Sequence, residues 1–177
     1  MKKITKKIPE KVLTSPVLSA IIQTERGKER NSKMRINFDM DGTIANFYGV
    51  AGWLDYLKAE DTKPYEIAKP LVNFSALARL LNKAQRNGYE IAVISWTSKS
   101  GSEEYNKAIA EVKKAWLAKH LPSVRWDEIT VIPYGTPKTL YCYGAEDMLF
   151  DDEEPNRKGW AGKSYDVNNI FEVLKNL

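Results

Sequence analysis

With a single cysteine and a single histidine in 177 residues, the chain has little scope for soft-metal or imidazole chemistry. Cys142 has no partner for an intrachain disulfide and fits a reducing, cytoplasmic compartment. A Cys/His zinc site cannot be assembled from this inventory. Any Ser/His or Cys/His nucleophilic pair must use His120, which stands in Ala118-Lys119-His120-Leu121-Pro122. That context reads as a helix end, where a histidine commonly caps the last carbonyls. A bound metal is therefore expected to be a hard cation held by oxygens. Long apolar runs are missing too: none approaches the ~20 residues of a membrane span. Met1-Lys2-Lys3 followed by Val12 to Ile22 has the outline of a signal peptide. Pro9 and Pro16 interrupt it, Thr14, Ser15 and Ser19 dilute it, and Gln23-Thr24-Glu25 is no cleavage site. The expectation is a chain with neither leader nor membrane span.

The composition present is 43% apolar, enough for the core of one domain of ordinary size. The net charge of +4 is unevenly spread. Residues 1–35 hold ten Lys/Arg against three Asp/Glu, and the remainder seventeen against twenty. Residues 1–33 thus read as a basic extension, able to attract nucleic acid or to remain a solvated tail. Within it, Ser15-Pro16 matches a helix start, with Val17, Leu18, Ile21 and Ile22 on one face. The folded domain is expected over residues 34–177.

From Met34 onward, strand and helix patterns alternate. Strands are expected at Arg35 to Asp39, Tyr89 to Ser95, Ile129 to Ile132 and Met148 to Phe150. Helices are expected at Asn73 to Asn87, Tyr105 to His120 and Ile170 to Leu177. Leu140 to Tyr143 fits neither pattern. The alternation predicts an α/β fold, a Rossmann-like parallel sheet with helices on both faces. In such sheets ligands bind at the carboxyl ends of the strands.

Those ends carry the reactive groups. The first strand runs into Asp39-Met40-Asp41-Gly42-Thr43. Two carboxylates at i and i+2 share a face if the chain stays extended. At a separation of about 4 Å and an effective dielectric near 20 they repel by about 4 kcal/mol. A shared proton, a basic residue or a metal must relieve this. The second strand ends in Ser95, with Thr97 and Ser98 beyond. Lys138 follows the third strand, and Asp151-Asp152 ends the fourth. Taken singly, each is an ordinary surface turn; together they fit one crevice.

These motifs resemble those of the haloacid dehalogenase-like hydrolase superfamily, most of whose members are phosphatases. Ile36 to Thr43 matches its opening Asp-x-Asp-Gly-Thr motif, Ile91 to Ser95 its second, Lys138 its third and Met148 to Asp152 its fourth. The likeness spans residues 34–177. Asn156, Trp160 and Gly162 after the acidic pair are similar to the deoxyribonucleotidase-like branch. The resemblance implies a small cap insert at about residues 46–72. It implies Mg²⁺ held by Asp39, Asp41 (through its backbone carbonyl) and Asp151, with Asp152 orienting its waters or Lys138. Asp39 is then the nucleophile, Asp41 the acid/base, and Lys138 a counter-charge to the phosphoryl oxygens. Gly42, Thr43 and Thr97 are expected on the substrate side, and Ser95 or Thr97 supplies the phosphate-binding hydroxyl. The implied substrate is a small phosphate monoester, with nucleoside monophosphates suggested by the branch and by Phe47, Tyr48, Trp53 and Tyr56. Rings of that size are more often core, and Trp96 is open to the same two readings. The rival expectation is a catalytically weak domain that binds nucleic acid or protein through the basic tail.

Overall fold

The computed structural model describes residues 33–177. Apart from Lys33, the basic extension and the helix start at Ser15 lie outside the described residues. Strand β1 (Arg35–Phe38) is buried on both faces and is followed by an insert. Strands β2 (Ala45–Asn46) and β3 (Lys69–Pro70) pair antiparallel and pinch the insert at its base. Helices α1 (Trp53–Lys58) and α2 (Lys63–Ile67) lie between them. The pairing encloses residues 47–68.

Helix α3 (Phe74–Arg86) begins at Asn73, whose side chain accepts the backbone N–H of Ala76. It buries Leu77, Leu81 and Ala84 against the sheet and ends before Asn87-Gly88, with Gly88 at φ 94°. Next come strand β4 (Glu90–Trp96), helix α4 (Glu103–His120) and strand β5 (Glu128–Ile132). Residues Lys138–Tyr141 form a 3-10 turn, which accounts for the unassigned stretch after Lys138. Strand β6 (Met148–Phe150), helix α5 (Glu154–Gly159), strand β7 (Lys163–Tyr165) and helix α6 (Ile170–Lys175) complete the chain.

The main sheet has the order β5-β4-β1-β6-β7, and every pairing in it is parallel. Helices flank it, as the alternating pattern requires. The central strands feed two cores because both faces are covered. Ile91, Val93, Phe38 and Phe150 pack with Leu77, Leu81 and Trp116, while Ile94 and Leu149 pack on the opposite side with Ile132 and Trp160. Phe38 and Phe150 stack at 5.0 Å across the β1–β6 pair. That stack brings the ends of β1 and β6 side by side, and the Asp39 N–H donates to the Phe150 carbonyl at 2.8 Å.

Helix α4 supports the insert along one face. Ser102 caps the helix through its hydroxyl, which accepts from the Tyr105 N–H. The Ser102 N–H and hydroxyl both donate to the Glu60 carboxylate, at 2.6 and 2.7 Å. One turn on, the Tyr105 hydroxyl donates to the Asp61 carbonyl, and the Tyr105 ring packs with Phe47, Tyr65 and Ile109. Trp116 Nε1 donates to the Ala68 carbonyl at 2.7 Å. The His120 ring ends this face, 4.4 Å from the Trp116 ring, so it serves as a packing group. No described helix is long and apolar enough to cross a membrane.

Candidate functional site

Asp39 lies directly beyond β1, with its carboxylate nearly buried. The chain then reverses: the Met40 carbonyl accepts from the N–H groups of Thr43, Ile44 and Ala45. Gly42 turns this corner at φ 81°, a region costly for a residue with a Cβ. Space demands glycine as well, since a Cβ there would collide with the Asp152 carboxylate and come within 2.9 Å of the Tyr48 ring. The tight turn sends Asp41 to a different partner from Asp39.

Two buried lysines divide the carboxylates between them. Lys138 Nζ lies 2.7 Å from Asp39 Oδ1 and 2.6 Å from Asp151 Oδ2. Lys113 Nζ donates to Asp41 Oδ2 at 2.7 Å, to Ser95 Oγ at 2.9 Å and to the Trp96 carbonyl at 2.7 Å. The repulsion expected between Asp39 and Asp41 is thus relieved by one ammonium for each. Burial works against the Lys138 charge, but Asp39 and Asp151 outweigh it and its pKa is raised.

Asp39, Asp151 and Asp152 present oxygens that all lie within 4.8 Å of one another. The Asp41 side chain stands outside this group, held by Lys113. Burial, followed by the charges of Asp39 and Asp151, pushes the Asp152 carboxyl up to about 7. Burial also raises Asp151, with Asp39 adding to the effect and Lys138 opposing it. Asp41 is raised by burial first, against the pull of Lys113. Crowded, poorly solvated oxygen donors of this kind could hold a hard cation, which would relieve their charge.

Further groups hold Asp151 and Asp152 in place. Asn156 Nδ2 lies 3.2 Å from both Asp151 oxygens, and the Glu153 N–H donates to Asp151 Oδ1 at 2.9 Å. Arg157 donates to the backbone carbonyls of Asp151 and Asp152, each at 2.7 Å. Trp160 Nε1 donates to the Asp147 carbonyl, against which a Cβ at Gly162 would clash. Of these three positions singled out in the sequence, Asn156 touches the acidic pair directly, while Trp160 and Gly162 shape the start of β6.

Asp39, Asp41, Ser95, Thr97 and Lys138 open on one cleft of about 320 Å³. Gly42 and Thr43 do not line it. Thr43 is buried behind Asp152, its hydroxyl donating to Asp152 Oδ1 at 3.2 Å and accepting the Asp152 N–H at 3.1 Å. Phe47, Tyr48 and Trp53 reach the cleft from the insert, whereas Tyr56 is not among its walls. Trp96 also lines it, anchored by Nε1 to the Thr136 carbonyl and packed 4.9 Å from Tyr134.

Lys113, Tyr65, Tyr134, Glu153 and Arg157 also belong to this region, and none of them stands in a motif of the sequence. Lys113 left a readable signal. It stands one turn after Ile109 and one turn before Trp116 and Leu117, inside the apolar face of its helix. A lysine at a core position demands a buried partner. No protein-family model matches the chain, and no curated protein matches it in sequence.

Proposed function

We propose that the chain is a Mg²⁺-dependent phosphomonoesterase of the haloacid dehalogenase-like type, working through Asp39. The observation that carries this reading is the division of labour at the strand ends. Asp39 shares Lys138 with Asp151, and Asp41 is held apart by a lysine of its own. Both carboxylates face the same cleft. A nucleophile and an acid/base need this separation, because each must keep its own protonation state.

In the proposed reaction an Asp39 oxygen attacks phosphorus and the ester P–O bond breaks, leaving an aspartyl phosphate. Asp41 gives its proton to the departing alkoxide. It then takes a proton from the water that attacks phosphorus, and the Asp39–phosphorus bond breaks to release inorganic phosphate. Lys138 balances charge on the phosphoryl oxygens, and the Ser95 hydroxyl hydrogen-bonds one of them. Asp39, Asp151 and Asp152 would hold Mg²⁺, which when bound offsets the charge between an anionic nucleophile and an anionic substrate. The Asp41 backbone carbonyl remains a proposed fourth donor. The helical insert acts as a small cap.

Nucleoside monophosphates are the substrate class favoured by the rings of Tyr48, Trp53, Trp96 and Tyr134 around the cleft, since aromatic faces stack on bases. Phosphate release from 4-nitrophenyl phosphate, with and without Mg²⁺, tests the chemistry. Asp39→Asn is expected to lower the rate by at least about 1000-fold, and undiminished turnover overturns the assignment. A panel of sugar phosphates and nucleotides tests the class, with a flat profile removing nucleotides. A wild-type protein inert to the whole panel favours the binding-module reading.

A further inference from the structure

Lys113 is a fully buried lysine on a helix that otherwise presents apolar groups to the interior. An ammonium taken out of water is costly unless its hydrogen bonds are remade. Here they are. A lysine has three N–H donors, and these meet Asp41 Oδ2, Ser95 Oγ and the Trp96 carbonyl. The Tyr65 ring, from the insert, covers the ammonium at 5.1 Å. With every donor used, Lys113 has none left for a substrate. Lys138 differs: its ammonium meets two carboxylates and lies 5.0 Å from the Trp96 ring, on the wall of the cleft.

The polarity of these bonds has chemical consequences. Ser95 Oγ accepts from Lys113, so the hydroxyl proton is left to donate to another group. Asp41 is gripped by Oδ2, which leaves Oδ1 for proton exchange. The same ammonium therefore sets the phosphate-binding hydroxyl and the acid/base at a fixed spacing. We infer that Lys113 is a positioning residue: it aims Asp41 at the leaving-group oxygen of a phosphate ester held by Ser95. This inference rests on the phosphatase reading above.

A positioning role for the acid predicts a loss that depends on how much the leaving group needs a proton. Lys113→Met keeps the length of the side chain and removes its donors. With Mg²⁺ present, kcat/KM is compared for benzyl phosphate, whose alkoxide requires protonation, and 4-nitrophenyl phosphate, whose phenolate does not. The variant is expected to lose about 100-fold on the benzyl ester and less than about tenfold on the nitrophenyl ester. An unfolded fraction scales both rates equally, so the ratio separates aim from folding, and thermal melts report that fraction independently. Equal losses on the two esters overturn the role of Lys113 while leaving Asp39 chemistry intact. A wild-type protein that hydrolyses neither ester overturns the phosphatase reading itself. If Lys113→Met does not fold, Lys113→Arg carries the same comparison, because its planar donors cannot meet all three acceptors. It is expected to show the same selective loss.

Discussion

Thr43 is the hinge on which Asp152 rests, because one hydroxyl both donates to its carboxylate and accepts its backbone N–H. Thr43→Val keeps the shape and deletes both bonds. Leaving a buried N–H unpaired costs about 1–3 kcal/mol, readable as a lower urea midpoint. Mg²⁺ affinity, followed by calorimetry, is expected to weaken about 10-fold to 100-fold as the carboxylate loses its support; an unaltered affinity contradicts its placement in the metal group. Asp152 also makes a pH prediction. Its folded pKa is raised to about 7 from an ordinary 3.8, so the folded state holds the proton more tightly than the unfolded one. That contribution to stability is complete below the ordinary value and is lost as pH rises through about 7. Metal-free Asp152→Asn should therefore melt about 2–5 °C above the wild type at pH 8, with the gap closing as pH falls toward 4. A gap that widens on acidification refutes the sign. Asp39, Ser95 and Asp151 are legible as the polar ends of apolar strands, whereas Lys138 lies in the 3-10 turn beyond β5 and has no such marker. The partition of the carboxylates between two lysines is not legible either, because Lys113 arrives from a helix 72 positions beyond Asp41.

Helix α4 joins the insert to the sheet, and its N-terminal cap is the most accessible place to test that. Ser102→Ala deletes both the cap to the Tyr105 N–H and the hydroxyl bond to Glu60. Cap removal is expected to cost about 1 kcal/mol. Hydrogen exchange should quicken at the α1–α2 turn more than in β4. Uniform quickening is the result that argues against a local latch. The elements themselves were legible in proportion to their apolar pattern. Helix α3, with asparagine at both caps, and strand β6 fall where the sequence places them. Helix α4 begins two residues earlier than expected because Ser102, not the first apolar residue, starts it. Strand β7 carries no sequence signal, for a physical reason. It is a three-residue edge strand, Lys-Ser-Tyr, with no side chain fully buried and no alternation to detect. Helix α5 likewise buries nothing, so no periodicity marks it.

At the scale of the molecule, the two ends of the sheet carry their charges differently. Where β1, β4 and β5 begin, the Arg35 guanidinium is only 2% exposed and lies 2.8 Å from Glu90 and 2.6 Å from Glu128. Beside it, the Asp147 carboxylate accepts the N–H groups of Arg35, Tyr143 and Gly144. These charges are matched in place. At the opposite end, Asp39, Asp151 and Asp152 crowd together, and burial and like charge raise the pKa of Asp151 and Asp152. Carboxylates arranged this way burden the fold even with Lys138 between Asp39 and Asp151, and a bound cation would relieve them further. The two ends should consequently respond in opposite ways to the loss of a charged group. Arg35→Met leaves two partly buried glutamates without their shared cation, and about 2 kcal/mol of stability is expected to be lost. For a domain of this size that lowers the melting temperature by about 4–8 °C. Phosphate release should stay within about twofold of wild type below the melt, since Arg35 stands at the far end of β1 from Asp39. Asp152→Asn should do the reverse, raising the metal-free melting temperature at pH 8 while depressing turnover. Measuring both quantities for both variants tests the polarity of the sheet directly. A large loss of activity in Arg35→Met, at a temperature where it is fully folded, shows that the two ends are not independent.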